Sequence, residues 1–376
     1  MMSLDALFEQ SHIFHRSFSK KPLYVASASG LILTLDSSSQ ILDATGGPAV
    51  ACLGHNQSEE VFLFRDTSPG GTCTAILCLG MSPSWTLATH TDASFPEKAL
   101  GPGTVAALFA ETIAGSTLAC VLAVPGYFQA MRGVCDKYGA LLVLDEVRTL
   151  TFAKNQLTGY RYCVVWEEAV QCMCADIQTV GKSLGGSFIP LSSILDHQDI
   201  FEVVANVSGS LAGGHTPQAH PVACASALTV QRIVSRDNLL ENIRTMGALL
   251  EKLLREFIEP LLLVGNVRGR GLFWAVECML DRETQTPFHL DDDFSCKIKD
   301  TGLDVGLNVP SNMGFVGMQK IDTAAITPPY IVTETEIRTI VELLKIAIER
   351  VSEPYLAARR HAQVPSVLQE RVQPWL

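Results

Sequence analysis

Leu141-Leu-Val-Leu-Asp-Glu-Val147 and Asp176-Ile-Gln-Thr-Val-Gly-Lys-Ser-Leu-Gly-Gly186 decide the fold of this chain. The first contains a short, continuous apolar run, the pattern of a strand buried on both faces in the middle of a parallel sheet, and the second reads as another strand. The first strand ends in Asp145. The second, residues 177–180, ends in a lysine flanked by glycines, Lys182. An acid and an amine would then emerge at the carboxyl ends of strands, where open α/β sheets bind ligands. Taken singly, an acid at a strand end and a lysine in a glycine turn are ordinary surface features. Their meaning comes from what surrounds them.

Working outward, strands alternate with helices between residues 105 and 236, the signature of a parallel sheet covered by helices on both faces. Residues 238–258 carry Leu239, Leu240, Ile243, Met246, Leu249, Leu250, Leu253 and Leu254 at helical spacing, a core-facing stripe. Residues 265–278 read as a glycine-rich turn followed by a strand. Residues 334–350 read as a second amphipathic helix. The segment after 354 is polar, with Pro365 and Pro374, and reads as a tail.

Composition sets limits. With 376 residues, 47% of them hydrophobic, the chain can bury a large core and has length for two or three domains. A formal charge of −11 without a clustered basic patch argues against nucleic acid as a partner. Eleven cysteines scattered through apolar runs read as reduced, buried thiols and not as a disulfide framework. Cys172-Met-Cys174 with Cys163 nearby has no second paired motif, so no metal site is expected. No stretch approaches the ~20 apolar residues that cross a bilayer, and no charged leader precedes an apolar run. The expectation is a cytoplasmic protein without a membrane partner.

The ordered motifs resemble the class III aminotransferases, fold type I pyridoxal-phosphate enzymes that include ornithine and 4-aminobutyrate aminotransferases. The resemblance runs from about Pro22 to about Arg350. It begins with residues 30–36, Ile41-Leu-Asp-Ala-Thr-Gly-Gly47 and Cys52-Leu-Gly-His55. Val105-Ala-Ala-Leu-Phe-Ala-Glu111, Pro125-Gly-Tyr-Phe128 and Cys135-Asp-Lys-Tyr-Gly139 lead into the aspartate strand in the family's order. After the lysine come Gly214-His-Thr216, His220-Pro-Val-Ala-Cys-Ala225, Val267-Arg-Gly-Arg-Gly-Leu272 and Pro328-Pro-Tyr-Ile-Val-Thr333.

The resemblance implies an α/β fold: a large, mainly parallel-sheet domain over residues 62–257, and a smaller α+β domain formed by 1–61 and 258–353, with 354–376 as a tail. It implies pyridoxal 5'-phosphate as cofactor, held covalently by the Lys182 amine, which then moves a proton between substrate and cofactor carbons. Asp145 would keep the cofactor's ring nitrogen protonated, because a buried carboxylate favours a neighbouring cation. Thr216 would bind the cofactor phosphate of the neighbouring subunit in a homodimer, its alternative being a helix cap before residues 220–236. Glu111 matches a family glutamate on the substrate side.

Departures accompany the matches. Only six residues separate His55 from Phe62, where the family carries a long segment bearing a Gly-Ser-Glu-Ala turn whose helix-start amides cup the phosphate. Pro69-Gly70-Gly71 stands where the family has an aromatic that stacks on the cofactor. The stretch 148–174 is longer than its family counterpart. Ala325 replaces an arginine that grips α-carboxylates, which points to an amine without a nearby carboxylate, or one gripped differently. Arg268 and Arg270, in the glycine-rich turn, read as structural. The leading reading is an aminotransferase moving an amino group between an amine or amino acid and a keto acid. An aminomutase, epimerase or decarboxylase of the same fold is one alternative. A catalytically impaired relative lacking the phosphate-binding segment is the other.

Overall fold

The computed structural model describes residues 23–57, 105–115, 118–147, 175–210, 217–316 and 319–362. The chain opens with an antiparallel meander of β1 (Val25–Ser29), β2 (Ile32–Leu35) and β3 (Gln40–Asp43), followed by a single helical turn, α1 (Gly46–Ala49). The two quoted strands lie in a four-stranded sheet of order β4-β7-β8-β9. Its strands are β4 (Ala107–Glu111), β7 (Leu141–Asp145), β8 (Ile177–Val180) and β9 (Ser193–Asp196). Between β4 and β7 lie the two-residue strands β5 (Ile113–Ala114) and β6 (Val121–Leu122), paired as a small ribbon, and helix α2 (Tyr127–Tyr138).

Leu142, Val143 and Leu144 of β7 are buried, which is why the run is apolar at every position and not alternating. Helix α2 stops at Gly139, whose left-handed backbone (φ 69°) lets its N–H reach the Cys135 carbonyl. Arg132 on α2 donates to Asp176 Oδ2 at 2.7 Å, and the same oxygen accepts the Leu142 N–H at 2.6 Å. Asp176, the first residue of the lysine motif, thus anchors α2 and β7 ahead of β8. Burial between these groups pushes the Cys135 thiol pKa up.

The expectation of a parallel sheet holds for β4, β7 and β8, and fails at its edge, where β9 runs antiparallel to β8. The connection between them contains only a single 3-10 turn, Lys182–Leu184. A parallel return usually runs through a helix packed on the sheet face, and this connection holds none, so the chain doubles back.

Helix α3 (Gln198–Val207) follows, then α4 (Pro221–Arg236), which starts with Pro221 in its first turn and His220 at the N-cap. The predicted stripe at 238–258 forms α5 (Leu239–Leu253), continued by a π turn Leu254–Ile258. Next come β10 (Val264–Arg270), β11 (Phe273–Cys278), α6 (Phe294–Asp304), β12 (Leu307–Asn308), β13 (Ser311–Val316) and β14 (Gln319–Ile326). The antiparallel order is β10-β11-β14-β13, while β12 pairs parallel with β3 and ties the two ends of the chain together.

Residues 265–278, expected as a turn and a strand, are a two-stranded hairpin, and Arg268 and Arg270 lie in its first strand. The glycines serve two uses: Gly271 (φ 55°) makes the hairpin turn, while Gly269 marks a close approach, where a Cβ would sit 2.2 Å from the Phe273 carbonyl oxygen. Arg268 is structural, as expected. It donates to the Ala119 and Leu118 carbonyls at 2.8 Å and pairs with Glu277.

The last helix, α7 (Glu334–Ala362), runs well past residue 350 and through Pro354, so residues 354–362 are helical and not tail. Tyr355 explains the extension, packing edge-on against Phe288 and Phe294. That burial outweighs the backbone hydrogen bond which proline cannot make.

One large core joins β2 and β3 to α4, α5, β10, β11, α6 and α7, with Trp274, Phe294, Leu250 and Ile340 at its centre. Gly247 on the buried face of α5 meets the hairpin turn, where a Cβ would lie 2.6 Å from the Gly271 backbone. Gly247→Ala is therefore expected to destabilise by about 2–3 kcal/mol, overpacking outweighing the ~1 kcal/mol gained in helix propensity. A denaturant melt checks it; a midpoint at or above wild type would show that the hairpin yields.

Candidate functional site

Strand register brings the predicted residues to one edge. Glu111 is opposite Asp145, and Asp145 is opposite Thr179, in a row across the carboxyl ends of β4, β7 and β8. The ladder continues one step further through the Glu146 N–H and the Thr179 carbonyl at 2.9 Å. Lys182 follows three residues after Thr179.

The acids are held by local bonds. Asp145 Oδ1 accepts the Val147 N–H at 3.0 Å, and Glu111 Oε2 accepts the Gly115 N–H at 2.9 Å. Beneath them, Glu146 is buried and its Oε2 accepts from the Thr112 hydroxyl at 3.0 Å. Charge-assisted bonds of this kind fix carboxylate direction more firmly than neutral ones.

Lys182 has φ +45°, in the left-handed region that disfavours residues with a Cβ. It heads the 3-10 turn, whose backbone closes through Leu184 N–H to the Gly181 carbonyl (2.9 Å) and Gly185 N–H to the Lys182 carbonyl (3.1 Å). Gly186 and Ser187 continue in the same region. Such a conformation persists when its surroundings over-determine it, and it clusters at functional sites.

Lys182 stands in the wall of a cavity of about 930 Å³, together with Ser187, Ser192, Gln218, His220 and Cys224. Asp145 and Glu111 share the sheet edge without lining this cavity. Thr216 lies outside the described residues, but the residues that follow it, 217–220, line the cavity with Lys182. His220, and not Thr216, occupies the N-cap of α4. The rest of the short segment after Gln57, the Pro69-Gly70-Gly71 stretch and the stretch 148–174 also fall outside the described residues.

The Gly-His turn takes a structural role. His55 Nε2 lies 2.9 Å from Asp43 Oδ2, and the buried Asp43 also accepts from Thr45 and from Asn308 Nδ2 at 3.1 Å, joining β3 to the end of β12. Gly54 must be glycine there, since its φ is +74° and a Cβ would stand 2.9 Å from the Gly30 carbonyl oxygen. Ala325, expected where an arginine would grip a carboxylate, is buried in β14 opposite Ala275.

The Lys182 turn is gripped by two side chains that no local pattern announced. Ser226 of α4 donates to the Gly185 carbonyl at 3.4 Å, and Cys52 donates through sulfur to the Ser183 carbonyl at 3.5 Å. Their separation from the turn in sequence leaves no periodic signal, beyond the run of small residues at 223–227 that lets α4 approach.

The chain is similar to known proteins in sequence and in fold. The model of the family described as "Aminotransferase class-III" matches residues 95–348. An aminotransferase of Gibberella zeae is 42% identical over 266 residues, covering 70% of this chain and 50% of that protein. An uncharacterised aminotransferase of Schizosaccharomyces pombe is 29% identical over 452 residues, covering 92% of this chain and 96% of its own. That alignment exceeds the chain's 376 residues, so it passes over stretches which the S. pombe protein has and this chain lacks. Among solved structures, the omega transaminase of Pseudomonas jessenii in complex with PMP superposes with a TM-score of 0.75 at 20% identity, covering 94% of this chain and 99% of that one.

Proposed function

We propose a function from a plain premise: this chain belongs to the class III aminotransferase family. Its fold is that of the fold type I transaminases. The proposed activity is pyridoxal-phosphate-dependent transfer of an amino group between an amine or amino acid and a keto acid. The observation that carries it is Lys182, held in a left-handed turn at a strand end and facing a cavity of about 930 Å³. A cavity of that order suits a cofactor-sized ligand with a small amine beside it. Among the described residues no helix is long and apolar enough to cross a membrane.

Lys182 in the cavity wall, with Asp145 and Glu111 on the same sheet edge, supports the cofactor reading. Lys182 would hold it through its Nζ, Asp145 would face its ring nitrogen, and Thr216 would contact the phosphate bound by the partner chain. When bound, pyridoxal 5'-phosphate supplies an electron sink for the pair left when a proton leaves the amine-bearing carbon. Lys182 Nζ would be the base that takes that proton and the acid that returns it. The Asp145 carboxylate is held in direction by the Val147 N–H on its Oδ1. Glu111, adjacent in the row, is the proposed substrate-side group.

The proposal includes a homodimer, a cytoplasmic location, and a small domain of 1–61 and 258–353 set against a large one of 62–257. The pairing of β3 with β12 supports joining the two ends of the chain in one domain. The six described cysteines are in no disulfide, which suits a reducing compartment. Sedimentation is expected to give a dimer. A monomer that holds cofactor and turns over would remove Thr216 from its role.

Titration with pyridoxal phosphate, gel filtration and borohydride reduction followed by peptide mapping test the reading, with label expected on Lys182. Loss of the phosphate-cupping turn removes charge-assisted hydrogen bonds of roughly 1.5–3 kcal/mol each, so affinity is expected to be at least about tenfold weaker than in a relative that keeps it. A yellow complex formed at stoichiometric cofactor and surviving the column would show that other residues rebuild the cup. Mapping with no label on Lys182 at saturating cofactor would overturn the function.

A further inference from the structure

We infer that Ser226 and Cys52 are positioning residues for the reactive lysine: together they hold the Lys182 turn in its left-handed conformation and so set the direction in which the amine enters the cavity. This rests on Lys182 being the reactive amine, as proposed above.

The turn's own backbone bonds do not explain its conformation. Leu184 to Gly181, Gly185 to Lys182, Gly186 to Ser183 and Phe188 to Gly185 are bonds that a turn with any residue at its head can make. Lys182 nevertheless sits at φ +45°, where its Cβ crowds the backbone. Something outside the turn must sustain it.

Two buried donors land on its carbonyls from different layers of the fold. The Ser226 hydroxyl, on the face of α4 that also lines the cavity through Ala223 and Ala227, reaches the Gly185 oxygen at 3.4 Å. The Cys52 thiol, from the segment after α1, reaches the Ser183 oxygen at 3.5 Å. Both residues are almost fully buried, at 0% and 4% exposure, so water does not substitute for either donor. Cys52 is itself fixed, its carbonyl accepting the Tyr330 N–H at 2.7 Å. The two acceptors follow Lys182 in the sequence at one and three residues' distance, so the turn cannot rotate without breaking one of these bonds.

The test is trace labelling of the cofactor-free full chain with acetic anhydride across a pH series, each lysine's rate being read by peptide mass spectrometry. Exposed Lys137 and Lys252 serve as internal references. Ser226→Ala and Cys52→Ala are each expected to change the Lys182 rate by about threefold or more and to shift its pH profile, with the reference lysines unmoved. Cys52→Ser, which keeps a donor at the same place, is expected to retain the wild-type profile.

Lys182 profiles identical to wild type in both alanine variants, whatever their melting temperatures, would overturn the proposal and leave the two residues as packing. If Ser226→Ala does not fold, the Cys52→Ala and Cys52→Ser pair decides alone, because equal profiles in that pair are also fatal. The labelling does not involve pyridoxal phosphate. A wild-type chain that fails to attach the cofactor at Lys182 would therefore end the functional reading and still leave the clasp decided.

Discussion

Lys182→Ala is expected to abolish transamination, by roughly 10³-fold or more, while the chain folds as before. The size follows from the amine's two duties, covalent attachment and proton transfer, of which a positioned acid–base group alone contributes about 10²–10⁴-fold. The fold is spared because the turn's backbone is held by its own backbone groups and by Ser226 and Cys52. Alanine also carries a Cβ, so it inherits the same left-handed strain and adds none. Turnover at saturating cofactor with an amino donor and a keto acid, set beside a thermal melt, gives the comparison. Full activity in a folded variant would remove the lysine, and with it the proposed chemistry.

How far the chain could be read before its fold was known depends on the range over which each feature is determined. Strands β7 and β8 and helix α5 were legible because burial on one or both faces writes itself into consecutive or periodic residues. The row Glu111, Asp145, Thr179 needed register, which follows once β4, β7 and β8 are taken as parallel neighbours. The hairpin at 264–278 was misread because glycine has two uses. A turn and a close backbone approach look alike in sequence, and only the 2.2 Å clearance at Gly269 separates them.

The reversal at β9 depended on an absent crossover helix, and the extension of α7 on aromatic packing of Tyr355 from far along the chain. Neither leaves a local trace. The clasps on the Lys182 turn are the extreme case, because Cys52 lies 131 residues from the carbonyl it reaches. Lys182 was found by its motif. What holds it came only from the packed structure.

Asp145→Asn separates electrostatics from architecture at the same edge. Asparagine keeps an oxygen that can accept the Val147 N–H, the bond that now fixes the side chain at 3.0 Å, so the strand end should keep its shape. What it loses is the charge. A carboxylate beside a titrating nitrogen raises that nitrogen's pKa by about 1–3 units, and a neutral amide does not. With the ring nitrogen protonated less often by that factor, removal of the substrate proton by Lys182 is expected to slow by roughly 10²–10³-fold. Attachment of the cofactor to Lys182 should survive, because it depends on the amine and not on the ring nitrogen. Single-turnover proton abstraction, followed by isotope exchange from an α-deuterated amine at saturating cofactor, isolates the step. An unchanged exchange rate would take Asp145 out of its role and leave it as a strand-end residue that caps its own turn.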